Sequence, residues 1–116
     1  MAKRKVTNLT EVALITCVVQ KGLADTINTS LLEVGVQGST VHMGVGTGVR
    51  ERLGILGVAV DVEREIISVM VPQDKTDRIF ERMFLAGRLD TPGMGYIYVT
   101  PLMQAATYIP PSLMQD

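Results

Sequence analysis

The sequence predicts an α+β domain with the element order β-α-β-β-α-β, followed by a short C-terminal edge strand. Short apolar runs of strand length alternate with stretches whose apolar residues recur at helical spacing. Glycines punctuate the helical stretches at Gly22, Gly35 and Gly87. The chain also echoes itself at one constant offset: Ile15 matches Ile67, Val19 matches Val71, and Gly35 matches Gly87. Each half then reads strand, helix, glycine, strand, which is the ferredoxin-like, split βαβ arrangement.

Residues 1–10 are polar and read as a frayed arm. Residues 12–19 form the first strand, apolar at both parities, so both of its faces are expected to be buried. Gly22 is placed to cap the first helix, with Asp25 near the positive end of its dipole. Leu23, Ile27, Leu31 and Val34 make one apolar stripe, and Gly35 ends the helix. Residues 39–43 are the second strand. Residues 44–57 read as a long flexible loop with five glycines. Residues 58–62 extend the chain back, and residues 66–71 form the third strand, stopped by Pro72. Gln73 or Asp74 caps the second helix, with Asp77 in its first turn. Its apolar stripe is Thr76, Ile79, Phe80, Met83 and Phe84, and Gly87 ends it. Residues 96–100 are the fourth strand, broken by Pro101. Residues 105–109 form the short edge strand, and residues 110–116 are a tail.

At 116 residues the chain is one domain. Its net charge of −1 supplies no basic field for nucleic acid. Aromatics at 4%, without Trp, argue against stacked single strands. Cys17 is the only cysteine, so no disulfide framework forms within one chain; a buried, inert thiol in a reducing compartment is expected. His42 is the only histidine, which excludes a multi-histidine metal site within one chain. No apolar run is long enough to insert across a membrane, and no signal-peptide core follows the basic start. A cytoplasmic location is expected.

Two helices cover one face of a four-stranded sheet, yet the first, third and fourth strands are apolar on both faces. An open apolar face of that size does not suit a soluble monomer. A homo-oligomer with its sheets packed face inward is therefore expected.

Two glycine-rich loops carry the candidate chemistry. In residues 87–95, Pro92 and Gly93 suit the central positions of a type II turn, Gly95 bares backbone N–H, and Arg88 adds positive charge. Such a loop cradles an anion, typically a phosphate, or simply connects a helix to a strand. In the long loop, alternate glycines Gly44, Gly46 and Gly48 let amides converge on an anion, or they form a plain hairpin tip. Their spacing is not the dinucleotide fingerprint.

Over residues 13–101 the chain resembles the PII signal-transduction superfamily. The marks are Gly35-Val36-Gln37-Gly38-Ser39-Thr40-Val41, Gly46-Thr47-Gly48, Val71-Pro72 with Asp77-Arg78, and Gly87-Arg88-Leu89 leading to Gly95-Tyr96-Ile97-Tyr98-Val99-Thr100-Pro101. The resemblance implies a homotrimer with a nucleotide in clefts between subunits. It also implies a long loop that engages a partner such as a transporter or metabolic enzyme, as in nitrogen regulation. By resemblance, Gly46, Thr47 and Gly48 line the cleft, and Gly87, Arg88, Leu89, Gly93, Met94 and Gly95 face the phosphates. The chain departs from the nitrogen-regulating members in several places. Its long loop is shorter and has no Tyr for uridylylation. Tyr96 stands where those members carry a phosphate-binding Lys, and Thr107 and Ile109 stand at their C-terminal arginines. Each lost charged contact is worth ~1.5–3 kcal/mol. Arg50, Arg52, Arg64 and Arg88 are the cations left to compensate, and Arg64 lies near the place of a Lys that contacts 2-oxoglutarate or the γ-phosphate in members. The expected effector is an adenine nucleotide (ATP, ADP or AMP) or a smaller anion, with no covalently bound cofactor and no metal.

The expected function is a non-enzymatic regulatory protein, in which ligand changes the order of the 44–57 loop and so engages or releases a partner. The alternatives are a ligand-free trimeric interaction module and a small enzyme acting on an acyl-phosphate or phosphate ester. Against the enzyme, the chain shows no nucleophile–base pair, and His42 lies mid-strand.

Overall fold

The computed structural model describes residues 7–36, 38–47 and 61–107. In chain order the elements are β1 (Thr7–Leu9), β2 (Val12–Gln20), α1 (Leu23–Glu33), β3 (Thr40–Thr47), β4 (Asp61–Pro72), α2 (Thr76–Ala86), β5 (Gly95–Pro101) and β6 (Ala105–Thr107). The main sheet has the order β3-β4-β2-β5, with every neighbouring pair antiparallel. This is the α+β, ferredoxin-like arrangement that the order of apolar runs predicts.

Period-two alternation builds the core. Ala13, Ile15, Cys17 and Val19 of β2 are buried on the helix side. Val71, Val69 and Ile67 of β4 stand opposite the first three of them, and Val99 and Ile97 of β5 flank Ile15 and Cys17. Onto this layer α1 places Ala24, Ile27 and Leu31, and α2 places Ile79 and Met83. Phe80 packs half-buried against the cluster, while Phe84 is half-buried outside it. The helix layer stops short of the edge: Val41 and Met43 of β3 are 46% and 58% exposed.

The other sheet face is covered by no described element. By register it carries Leu14 and Val18 of β2, Ile66 and Met70 of β4, and Tyr96 and Tyr98 of β5. Tyr96 is 60% exposed, and its ring stacks on Tyr98 at 6.2 Å. Thr16 and Ser68 on this face are 3.3 Å apart, hydroxyl to hydroxyl.

Several boundaries differ from expectation. Residues 7–9, expected to fray, form β1 and pair with β6 in a separate two-stranded sheet, Leu9 opposite Ala105. The expected edge strand therefore does not extend the main sheet, and its residues 108–109 lie outside the described residues. Glu11, at a φ of 55°, breaks the extended chain between β1 and β2. Residues 44–47, expected in the long loop, continue β3 because β4 pairs with them out to Thr47–Asp61. The rest of that loop, residues 48–57, lies outside the described residues, as does the stretch 58–60. Neither Gln73 nor Asp74 caps α2. Residues Gln73–Lys75 form a 3-10 turn, and no side chain bonds the helix start at Lys75. The Gln73 amide instead donates to the Glu11 carbonyl at 2.8 Å, which fastens this turn to the start of β2.

Gly22 sits at the N-cap of α1 with a φ of 96° and has no side chain to offer. The acceptor comes from the sheet: Glu65 Oε1 receives the amides of Gly22 and Ala24, each at 2.9 Å. Replacing an N-cap acceptor costs about 0.5–2 kcal/mol. Glu65→Ala is thus expected to lower stability by about 1 kcal/mol in urea titration, and Glu65→Gln by less, because its amide oxygen still accepts.

Burial pushes the Cys17 thiol from its ordinary 9.0 up to about 12. In the unfolded chain the thiol ionises near 9, while in the folded chain it stays neutral until about 12. Unfolding therefore releases a proton in that window, and stability falls as pH rises through it, by up to about 1.4 kcal/mol per pH unit. Below the window the thiol contributes no pH dependence. A Cys17→Ala variant is expected to lose stability less steeply than wild type between pH 9 and 11. Native Cys17 is expected to resist iodoacetamide at pH 8 and to react once denatured.

Candidate functional site

The end of β2 gathers the candidate residues at one end of the sheet. Gln20, its last residue, stands opposite Arg64 of β4, and Val19 stands opposite Gly95 of β5. On the other side of β4, Arg64 faces Gly44 of β3. Arg64 is only 6% exposed. Its Nη1 donates to the carbonyl oxygen of Met94 at 3.3 Å, across the end of β2. One guanidinium therefore connects the base of β4 to the turn that leads into β5. A buried cation of this kind is stable only when hydrogen-bonded.

The charges on either side of Arg64 also have partners. Glu65 holds the start of α1. Glu63 pairs with Lys21 at 3.0 Å, both exposed, and that pair raises the Lys21 ammonium above its usual range through the hydrogen bond first and the charge second.

The loop before β5 is built in two steps. α2 ends in a Schellman motif: the Arg88 amide donates to Leu85 at 3.1 Å, and the Leu89 amide to Phe84 at 3.0 Å. The left-handed residue is Arg88, at a φ of 57°, not Gly87, whose φ is −83°. Gly87 is instead needed for packing: a Cβ there would meet Val19 Cγ1 at 3.1 Å and Ile27 Cδ1 at 3.3 Å. Leu89 packs against the core. The second step is a turn closed by the Met94 amide on the Thr91 carbonyl at 3.3 Å. Pro92 and Gly93 occupy its centre, and Gly93 has the φ of 79° that a type II turn requires. Gly95 follows at a φ of 136°, where a Cβ would run into the Val18 carbonyl oxygen.

The sequence-derived site residues thus divide by position. Arg64, Met94 and Gly95 meet at the end of β2, with Gly93 in the adjoining turn. Arg88 is exposed at the helix end. Gly87 and Leu89 belong to the packing beneath the loop. Gly46 and Thr47 lie at the same end of the sheet, on the edge strand β3, opposite Val62 and Asp61. Gly48, Arg50 and Arg52 lie outside the described residues. Sequence reasoning missed Glu65 and the Lys21–Glu63 pair. Their signal was the run Glu63-Arg64-Glu65, in which charges alternate in sign inside an extended segment.

A model of the nitrogen regulatory protein P-II family matches residues 12–109. The chain belongs to that family. Among solved structures, a crystal structure of Arabidopsis thaliana PII bound to citrate is similar at a TM-score of 0.64 and 20% identity. The match covers 79% of this chain and 78% of that one, and at this identity it speaks for the fold alone. No curated protein matches the chain.

The two turn glycines are expected to respond differently to substitution. Gly93→Ala adds only left-handed strain, about 1 kcal/mol, because no atom lies within 4 Å of the new methyl. Gly95→Ala adds a collision with backbone and should cost about 2 kcal/mol or more. Urea denaturation of the two variants measures the difference.

Proposed function

We propose that this protein is a non-enzymatic, cytoplasmic regulator. It binds an adenine nucleotide (ATP, ADP or AMP) or another small anion in clefts between the subunits of a homotrimer. The 44–57 loop then carries the signal to a partner, either a transporter or a metabolic enzyme. Membership of the P-II family supports the regulatory reading. The citrate in the Arabidopsis relative supports an anionic ligand. Among the described residues, no helix is long and apolar enough to cross a membrane.

The observation that carries the proposal is the bond from buried Arg64 to the Met94 carbonyl. It sets a cation beside the glycine turn at the end of the sheet where β3 leads into residue 48 and beyond. An anion that draws on Arg64 changes the balance of that bond, and the bond holds the turn to the base of β4. Differential affinity for two arrangements is the physical requirement for a switch. The open sheet face supplies the reason to assemble. Leu14, Val18, Ile66 and Met70 beside the stacked Tyr96 and Tyr98 make an apolar surface that a second copy buries. The proposed cleft residues are Gly46, Thr47, Gly48, Arg50, Arg64, Arg88, Gly93, Met94 and Gly95, with Gly87 and Leu89 supporting the loop from below.

Calorimetric titration with ATP, ADP, AMP and citrate tests the ligand. Binding of at least one is expected, and Arg64→Gln should weaken it about tenfold or more while the sedimentation coefficient stays that of a trimer. No heat with any of the four, or unchanged affinity in the variant, would reject the cleft. A stable lone subunit at micromolar concentration would reject the assembly.

A further inference from the structure

The helix pair carries a groove that the sheet-end site does not use. One recess of about 530 Å³ is lined by Ser30 of α1, by Val34 just past its end, and by Ile79, Arg82 and Leu85 of α2. A second, of about 320 Å³, lies between Val36, Pro72 and Lys75. Val34, Arg78 and Ile79 line both, so the two recesses adjoin along one side of the helix pair and are treated together as a groove. It runs beside helices of 11 residues, about 16 Å of helix axis.

Its chemistry is mixed in a particular way. Leu85 is 55% exposed. Arg82 is already engaged: its Nε donates to the Ser30 carbonyl at 2.9 Å, and its Nη2 pairs with Glu33 at 3.3 Å. Lys75 and Arg78 are exposed, and their side chains make no hydrogen bond or ion pair with any described residue. With Arg82 and Glu33 cancelling, the groove holds two cations against the single carboxylate of Glu81. The floor is apolar, from Val34, Ile79 and Leu85.

We propose that this groove docks an acidic amphipathic segment of a partner protein, up to about three helical turns long. Apolar side chains of the segment cover Val34, Ile79 and Leu85, and its carboxylates meet Arg78 and Lys75. The groove lies on the helix side of the sheet, so subunits that associate through the opposite face leave it open. Nucleic acid does not suit it, because Glu81 lines the groove and the Arg82 charge is already taken by Glu33. This inference stands independently of the ligand cleft and of the 44–57 loop.

Selection of a displayed library of random peptides, about twelve residues long to match the groove, tests the inference. The full-length protein is the bait, and Arg78→Glu and Leu85→Asp variants serve for counter-selection. Both side chains are exposed, and circular dichroism with a melting curve checks that the variants fold; Arg78→Ala is the milder second variant. Enriched peptides are expected to combine carboxylates with bulky apolar residues. Synthetic copies are expected to lose affinity about tenfold or more with each charge or apolar variant, and to bind more weakly in high salt. Four outcomes would overturn the proposal: no enrichment; basic or uncharged peptides; peptides that bind the variants equally well; and peptides that match a stretch of this chain, which make the groove a self-contact.

Discussion

The register of β2 against both of its neighbours governs the rest of the molecule. One strand, buried on the helix side from Ala13 to Val19, pairs residue for residue with β4 and with β5. A one-residue slip on either side would turn its apolar set away from the helices. The same register places Arg64 and Gly95 on the two sides of the strand's last residues. The candidate site is therefore a consequence of core packing: the groups that meet there are the ones that alternation brings level with Val19 and Gln20.

The charged run at the start of β4 shows how a polar segment becomes a strand. Glu63, Arg64 and Glu65 point to alternate faces. Glu65, on the helix side, accepts two amides at the start of α1, from its N-cap Gly22 and from Ala24. Arg64, on the open side, crosses below β2 to Met94. Glu63 reaches Lys21. Each charge is satisfied by a group far away in sequence, so the extended conformation costs no unpaired charge. The same contacts tie α1, β4 and the turn before β5 together at one end of the sheet, where a ligand-linked change would be felt by all three.

The internal repeat holds in outline and breaks in detail. Both helices end in the same hydrogen-bond pattern, with Val36 bonded to Leu31 in the first half and Leu89 bonded to Phe84 in the second. In the first half the left-handed residue is Gly35, while in the second it is Arg88, one position beyond the echoing glycine. The glycine at 87 answers a different need, the close approach of Val19 and Ile27. An identical letter at an equivalent position thus serves backbone conformation in one half and side-chain space in the other. The left-handed Arg88 also leaves its charged side chain in solvent at the helix end.

Local pattern alone was enough for the order of the four main-sheet strands and two helices, for Ile27, Leu31, Ile79 and Met83 as core residues, for the type II turn at Pro92 and Gly93, and for the apolar character of both sheet faces. Those properties depend on side-chain period and on the φ preferences of Pro and Gly, which are written residue by residue. Arg64 was legible as a candidate cation, but its acceptor was not, because a backbone carbonyl carries no sequence signature. The cap on α1, the strand character of residues 44–47, the pairing of β1 with β6 and the packing role of Gly87 were decided only in three dimensions. Each is a contact between segments distant along the chain, and the partner that determines it is absent from the local window in which a sequence is read.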